Sequence, residues 1–352
     1  MKEEKTFRTR MGDGSLVHMT EEEIRADIRA GTEDAVRCGK IDPMSEEDME
    51  KLYDIVTAPG GVVGVSPGRE IVLTNDSGGY KINVKSQVPL PKEMETLLYE
   101  RCLGCDSVDI GNTDYNFKTA KGIAEREAGA LQQALQVTTM PLFYGAMPDM
   151  GFYTQPDGPV GNWATLLPEG KIQEAWEAQE QAVKHSVKDI TFVAEKMYKA
   201  GADGINLDTC GASGDADFLA SLEACEEITS RHPDLPVEIG MAGEFVLGMH
   251  GRLKYKGKRL AGLYPHDQVK LVEQAGASIF GLVVNTNCSR SFPWNIARTI
   301  TFTQACTKVA NIPVHADVGM GVCGVPMVEI MPADVVSRAD KALVELGKVD
   351  GL

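Results

Sequence analysis

Apolar and polar positions alternate in a repeating pattern from about residue 105 to the end of the chain. Short apolar runs, which predict strands, occupy residues 107–110, 140–144, 204–207, 237–240, 278–284 and 312–316. Stretches with apolar residues at helical spacing follow most of these runs, at residues 173–199, 217–231, 267–274, 294–309 and 333–346. Repeated strand–helix order predicts a parallel sheet whose strands are connected by helices.

Three junctions between a helix and the next strand have the same form. Residues 199–205 (KAGADGI), 273–279 (EQAGASI) and 347–352 (GKVDGL) each place a glycine at the helix end, where we expect a left-handed helix cap. The third junction predicts that a seventh strand begins at Val349. Six βα units and the start of a seventh predict an α/β fold, an incomplete TIM (β/α)8 barrel over residues 105–352. A doubly wound open sheet is the alternative architecture.

Residues 1–104 show a different pattern. Thr20 and Glu23 have the spacing of a capping box ahead of a helix, and Ser45 is expected to cap a second helix that runs through Val56. Short β-branched runs at residues 62–65, 70–74 and 80–84 predict a small antiparallel meander, because turn residues separate them. We therefore expect residues 1–104 to form an N-terminal cap of helices and a small β-meander.

The charge balance and the hydropathy pattern exclude several classes of partner. The 352 residues include 51 acidic and 35 basic side chains, a formal net charge of -16. This excess argues against nucleic acid, because binding to phosphates requires clustered Lys and Arg. The longest apolar runs are shorter than the ~20 residues that span a membrane, and the N-terminus lacks the apolar core of a signal peptide. We expect a cytoplasmic protein with neither a nucleic acid nor a membrane as partner.

The eight cysteines lack the dense, regular spacing of a secreted disulfide scaffold. Cys102 and Cys105 have CxxC spacing, but no second pair or nearby histidine completes a zinc site. Most cysteines are therefore expected to be small buried hydrophobic residues, and no metal site is expected.

Polar residues occur where the predicted strands end, and in a barrel the carboxyl ends of the strands meet at the active face. The candidates for catalysis are Glu244, Asp208, Glu238, Asp317 and His315. A cationic amine fits a site with several carboxylates, and tyrosines there can add cation–π contacts. The candidates for substrate binding are Tyr144, Asn285, Asn287 and Tyr264, with Tyr153 as a further aromatic contact. The alternative is that some of these acids cap helices or pair with Lys and Arg.

Two Gly-rich segments follow predicted strands. Residues 319–324 match G-x-G-x-x-G, as in dinucleotide-binding folds, but Pro326 and Pro332 delay the next helix. A tight loop at the barrel rim is therefore favoured over a dinucleotide site. Residues 211–217 open a helix, where Asp215 and Asp217 would repel a phosphate, so capping is the favoured interpretation.

Several longer strings resemble the dimethylamine:corrinoid methyltransferase family. They include RMGDG at 10–14, LFYGAMPDMG at 142–151, KIQEAW at 171–176, GMAGEFVLGMHG at 240–251, WNIAR at 294–298 and VGMG at 318–321. The resemblance covers almost the whole chain. It implies a TIM barrel that moves a methyl group from dimethylamine to the Co(I) corrinoid of a cognate corrinoid protein, in methylamine-dependent methanogenesis or related anaerobic methylamine metabolism. No cofactor would be bound directly, and we also expect a homo-oligomer.

The resemblance also implies pyrrolysine, which is encoded by an in-frame UAG codon. The VDGL at 349–352 resembles the sequence that leads to this residue in the family, so we expect pyrrolysine immediately after Leu352, absent from this chain, which would then end at a UAG read as stop and be inactive. Among the candidate acids Glu244 leads, because it lies in the most family-like string. The alternatives are a non-catalytic fragment that binds the corrinoid protein, or another TIM-barrel enzyme with a nicotinamide or phosphate ligand.

Overall fold

The computed structural model describes residues 5–69, 71–76, 106–111, 142–146, 150–248, 251–328 and 331–352, with the backbone alone at 72–76, 106–111, 142–146 and 151–152. The chain divides into two compact units. The first unit comprises Met1–Thr74, Met94–Ser107 and Leu282–Leu352, and the second comprises Asn75–Glu93 and Val108–Gly281. None of the helices in the described part of the chain has the length and hydropathy that a membrane crossing requires.

The second unit contains a parallel sheet with helices between its strands. Its elements are β4 (Asp106–Gly111), β5 (Leu142–Ala146), a 3-10 turn (Met150–Tyr153), α3 (Trp163–Leu166), α4 (Ile172–Ala200), β6 (Gly204–Cys210), α5 (Asp215–Arg231), β7 (Val237–Met241), β8 (Lys254–Tyr255), β9 (Lys258–Arg259), α6 (Pro265–Gln274) and β10 (Ile279–Leu282). Parallel pairings join β4 to β5, β5 to β6, β6 to β7 and β7 to β10. The predicted α/β class and its parallel strand order are therefore confirmed for these strands.

Alternation along β6 and β7 explains how this sheet is packed. Alternate positions of the two strands hold apolar side chains that are at most 1% exposed: Ile205, Leu207, Val237 and Ile239. Helices α4 and α5 pack against β6, so the apolar face of the sheet is turned toward the helices. Full burial of each such side chain contributes about 1.5–3 kcal/mol to folding. The intervening polar positions consequently share the opposite face.

The first unit is built mainly from helices. Its elements are β1 (Thr6–Arg10), β2 (Leu16–Thr20), α1 (Glu21–Gly39), α2 (Glu46–Thr57), α7 (Phe292–Thr307), β11 (Val314–Ala316), α8 (Ala333–Ala342) and a π-helical turn (Leu343–Gly347). The boundary between the units falls within β3 (Val72–Asp76), β4 and β10. Strands β1 and β2 form an antiparallel hairpin, which the sequence pattern had not suggested. Helix α1 packs closely on α7, since a Cβ at Gly31 would lie 2.2 Å from the Trp294 carbonyl oxygen.

The end of the chain pairs with β11 in the way that the third junction predicts. His315 and Gly351 form a parallel bridge, and the Ala316 amide donates to the Gly351 carbonyl oxygen at 3.0 Å. This single bridge is the pairing expected where a further parallel strand begins. The left-handed residue at this junction is Lys348 (φ 61°) and not Gly347 as predicted. Gly347 is needed for packing instead, because a Cβ there would lie 2.8 Å from the Thr303 methyl carbon.

The predicted meander is only partly found. The strand predicted at residues 62–65 is wrong. Side chains of α8 bind the backbone of residues 58–64 instead. Arg338 donates to the carbonyl oxygens of Ala58 at 2.7 Å and Gly60 at 3.0 Å, and Lys341 donates to that of Gly64 at 2.8 Å. The run predicted at 70–74 contributes to β3, whereas residues 80–84 and the predicted boundary between 1–104 and 105–352 lie outside the described residues. Closure of the sheet into a barrel stays a prediction.

The capping box ahead of α1 is confirmed in full. The Glu23 amide donates to Thr20 Oγ1 at 3.2 Å, and Glu23 Oε2 accepts from the Thr20 amide at 2.8 Å. Thr20→Ala is expected to lower the free energy of unfolding by about 1 kcal/mol, because the Glu23 amide loses its Oγ1 acceptor. Urea unfolding of both proteins measures the difference. Thr20→Ser keeps the hydroxyl and should retain most of the stability; equal stability of the Ala variant would contradict the assignment.

Candidate functional site

The polar face of β6 and β7 is the centre of the candidate site in the second unit. Asn206 and Asp208 alternate along β6, and Glu238 and Gly240 alternate along β7, with Asn206 in register with Glu238. Asn206 is 6% exposed and Glu238 is 3% exposed, whereas Asp208 is partly exposed. Two of the predicted catalytic acids therefore lie on one face of neighbouring strands, where their charges can act on the same ligand.

Gly240 leaves space between two of these side chains. A Cβ built on Gly240 would lie 3.4 Å from Asp208 Oδ1 and 3.6 Å from Asn206 Oδ1. On the next strand Gly281 is in register with Gly240, and a Cβ there would lie only 2.6 Å from the Gly240 Cα. Two adjacent strands thus present bare backbone beside two side-chain oxygens. We call this space the Gly240 notch: the volume over Gly240, flanked by Asn206 and Asp208.

The end of β6 is strained at the point where Asp208 leaves the strand. Thr209 has a φ of 51°, a left-handed conformation that a β-branched residue rarely adopts. The register of β6 against β7 shifts between Leu207 and Cys210. The Thr209 amide donates to Asp208 Oδ1 at 2.7 Å, which fixes the orientation of that carboxylate. Strain of this kind costs on the order of 1–3 kcal/mol and is often found at functional sites.

The loop after β7 carries the leading candidate, Glu244, which is 4% exposed. Gln268 of α6 donates through Nε2 to the carbonyl oxygens of Glu244 at 3.2 Å and of Leu263 at 2.8 Å, so a buried side chain holds this loop. The rings of Phe245 and Tyr264 lie 5.7 Å apart. Tyr264 is thereby placed beside the same loop as Glu244, and both remain candidates.

His315 and Asp317 belong to the first unit, at the carboxyl end of β11. The Asp317 amide donates to the Leu282 carbonyl oxygen at 3.0 Å, and Asp317 is exposed whereas His315 is partly exposed. In the same unit, Asn287 Oδ1 accepts from the Ser289 amide at 3.0 Å and from the Ser289 hydroxyl at 2.8 Å. Asn285 is exposed and forms an antiparallel bridge with Val322. These four candidates therefore lie at strand and loop ends of one unit.

The glycine motif at 319–324 forms part of that surface and does not lead into a helix. The Cys323 amide donates to the Val284 carbonyl oxygen at 2.7 Å, and the Thr286 amide donates to that of Gly321 at 2.8 Å. Helix α8 begins only at Ala333. The motif is thus a loop bound to the segment that follows β10. As the two prolines suggested, it lacks the helix N-terminus that would bind a pyrophosphate.

Other predicted contributors have different surroundings. The Tyr153 hydroxyl donates to Asp189 Oδ2 at 2.8 Å, and its ring stacks on His185 of α4. Tyr144 lies in β5, where only the backbone is described, and Cys102 and Cys105 lie outside the described residues. Cys210, like most of the described cysteines, is buried, and burial raises the pKa of its thiol. In the described part of the chain no three His, Cys, Asp or Glu side chains are grouped to hold a metal ion.

Sequence reasoning missed Asn206, Gly240 and Gln268 as members of the site. An asparagine on a strand and a glycine within one are ordinary residues in isolation. The available signal was the two-residue spacing of Asn206 from Asp208, which places both side chains on the same face. Gln268 gave no signal, because its contact with the Glu244 loop depends on the packing of α6.

The chain has the following similarities to known proteins. The sequence profile of the dimethylamine methyltransferase family matches residues 5–352. Among solved structures, one similar chain is the spore cortex-lytic enzyme SleL of Bacillus megaterium QM B1551, with 9% sequence identity and a TM-score of 0.36. That alignment covers 81% of this chain and 58% of the SleL chain.

Proposed function

Because the chain belongs to the dimethylamine methyltransferase family, we propose that it transfers a methyl group from dimethylamine to the Co(I) corrinoid of a partner protein. The family match over residues 5–352 carries this proposal. The site supports it, because buried and partly buried carboxylates on β6 and β7 suit a cationic substrate. The net charge of -16 also favours a cation over an anion.

The chemistry explains the need for acids. The C–N bond of a neutral amine is unreactive because the nitrogen would leave as an amide anion, so the nitrogen must be cationic when the methyl group departs. Asp208, Glu238 and Glu244 are proposed to stabilise that positive charge and to exchange its proton. His315 and Asp317 are proposed for the same roles at the end of β11, with Asn285, Asn287, Tyr144 and Tyr264 as substrate contacts.

Two further groups belong to this proposal on the strength of the family resemblance. The corrinoid supplies the Co(I) nucleophile, which donates the electron pair for the new Co–C bond and is oxidised to methyl-Co(III). The C–N bond of dimethylammonium breaks in the same transfer, and methylamine retains the nitrogen electron pair and then takes up a proton. Pyrrolysine, which the resemblance places after Leu352, would hold the amine as a cationic adduct; the 352-residue chain alone is proposed to be inactive.

The test uses the enzyme expressed in its native host, with the corrinoid protein in its reduced state. We expect dimethylamine to convert Co(I) to methyl-Co(III), visible in the absorbance of the corrinoid, faster than monomethylamine or trimethylamine does. The 352-residue chain should give no conversion. Absence of conversion with all three amines would overturn the proposal, and binding of NAD in calorimetry would then favour a nicotinamide enzyme.

A further inference from the structure

We propose that the Gly240 notch binds the ammonium group of the substrate through its N–H bonds. Asn206 supplies the acceptor that makes binding depend on the number of those N–H bonds. The inference deepens the proposed function and rests on it. It assigns a ligand-binding role to a side chain that sequence reasoning did not single out. The substrate of the proposed function, a secondary ammonium, has two N–H donors that the notch can accept.

The first observation is an unused acceptor. Asn206 Oδ1 is buried and has no hydrogen-bond partner, although the residue is only 6% exposed. Buried polar atoms nearly always have a partner, because leaving water without one is unfavourable. An acceptor held in this state on the polar face of a sheet is available to a group that arrives from outside the protein.

The second observation is the empty space in front of that acceptor. Gly240 does not have a positive φ, and a Cβ there would meet nothing closer than 3.4 Å. The protein's own packing therefore does not require glycine at this position, which otherwise weakens a strand. Glycine here keeps the volume beside Asn206 Oδ1 and Asp208 Oδ1 open to a ligand.

The two acceptors differ in a way that suits a cation. Asp208 carries a negative charge and is oriented by the Thr209 amide at 2.7 Å, whereas the neutral Asn206 amide oxygen adds a second directed acceptor. Dimethylammonium has two N–H bonds and two methyl groups. Its N–H bonds match the two oxygens, and its methyl groups match the bare backbone of Gly240.

The test compares two variants of the full-length, natively expressed enzyme by ligand-observed NMR titration. Asn206→Leu removes the acceptor, and Gly240→Ala fills the notch. Each is expected to weaken binding of dimethylammonium chloride about tenfold or more, because a hydrogen bond to a charged group is lost or blocked. Gly61→Ala is the matched control, since a Cβ there meets nothing within 4 Å, and its binding should equal that of the wild type.

Tetramethylammonium has no N–H bond. Its binding therefore shows whether Asn206 acts as a hydrogen-bond acceptor or only shapes the notch. Asn206→Leu should leave its binding nearly unchanged, so that the preference for dimethylammonium falls about tenfold. The ligand-free Asn206→Leu protein should also melt about 1–3 °C higher, because an unpaired buried acceptor is gone. A purely structural asparagine would give the opposite change in melting temperature.

The inference is overturned if Asn206→Leu binds dimethylammonium as the wild type does, or if it weakens both cations equally. In either case a wild-type enzyme that demethylates dimethylamine keeps the proposed function intact. A wild-type enzyme that neither binds nor demethylates dimethylamine would instead remove the proposed function, and the two failures are therefore distinguishable.

Discussion

Glu238→Gln is expected to lower the rate of methyl transfer from dimethylamine by about 10²–10⁴-fold, the usual range for loss of a catalytic acid or base. Glu238 is 3% exposed and lies on the polar face of β7, two residues before Gly240 and in register with Asn206. Glutamine has nearly the same size and retains an acceptor. It cannot carry the negative charge that stabilises a cationic nitrogen, nor exchange its proton.

The measurement is the single-turnover rate of methyl-Co(III) formation with the natively expressed enzyme at saturating dimethylamine. Glu177→Gln is the matched control, because Glu177 is exposed on α4, and it should retain the wild-type rate. Thermal unfolding of both variants checks that each is folded. A rate within threefold of the wild type for a folded Glu238→Gln would exclude this carboxylate from the chemistry and leave Glu244 as the leading acid.

Local rules in the sequence predicted the elements that depend on neighbouring residues. The capping box needs only Thr20 and Glu23, which are three positions apart. The alternation of apolar and polar residues in β6 and β7 is visible within each short strand. Such signals need no knowledge of distant partners. The candidate acids were chosen by a different rule, that strand ends in a parallel sheet share one edge, and their roles stay predictions.

The rest depended on contacts between residues far apart in sequence. Residues 62–65 have a strand-like composition. However, Arg338 binds two carbonyl oxygens just before this segment, and Lys341 binds the carbonyl oxygen of Gly64 within it. No local sequence pattern predicts that an arginine nearly 280 positions later binds this backbone. Asn206 is a similar case, because its functional signal is an absent partner, which only the packed structure can reveal.

The same dependence on packing produces the second large effect, at Asp340 of α8. Asp340 is 2% exposed, and burial raises the pKa of its carboxyl to about 8, from an ordinary value of 3.8. The folded protein therefore holds this proton up to about pH 8, whereas the unfolded chain releases it near pH 4. Between those values the unfolded state is favoured as pH rises, by about 1.4 kcal/mol per pH unit from this group.

Asp340→Asn mimics the protonated acid at every pH and should remove that loss of stability. The variant and the wild type are expected to differ least at pH 4, where Asp340 is protonated in the folded state and still partly protonated in the unfolded chain. At pH 8 the variant should be more stable by a few kcal/mol. Urea unfolding at pH 4, 6 and 8 measures this trend.

Asp54→Asn, an exposed change on α2 in the same unit, is the control and should show a constant difference across the three pH values. A difference at Asp340 that does not grow between pH 4 and pH 8 would mean that the folded protein ionises this carboxyl at an ordinary pH. Water would then have to reach Asp340 where α8 packs against α2 and α7. The reason is that a charged carboxylate in a dry interior without a partner is too costly to persist.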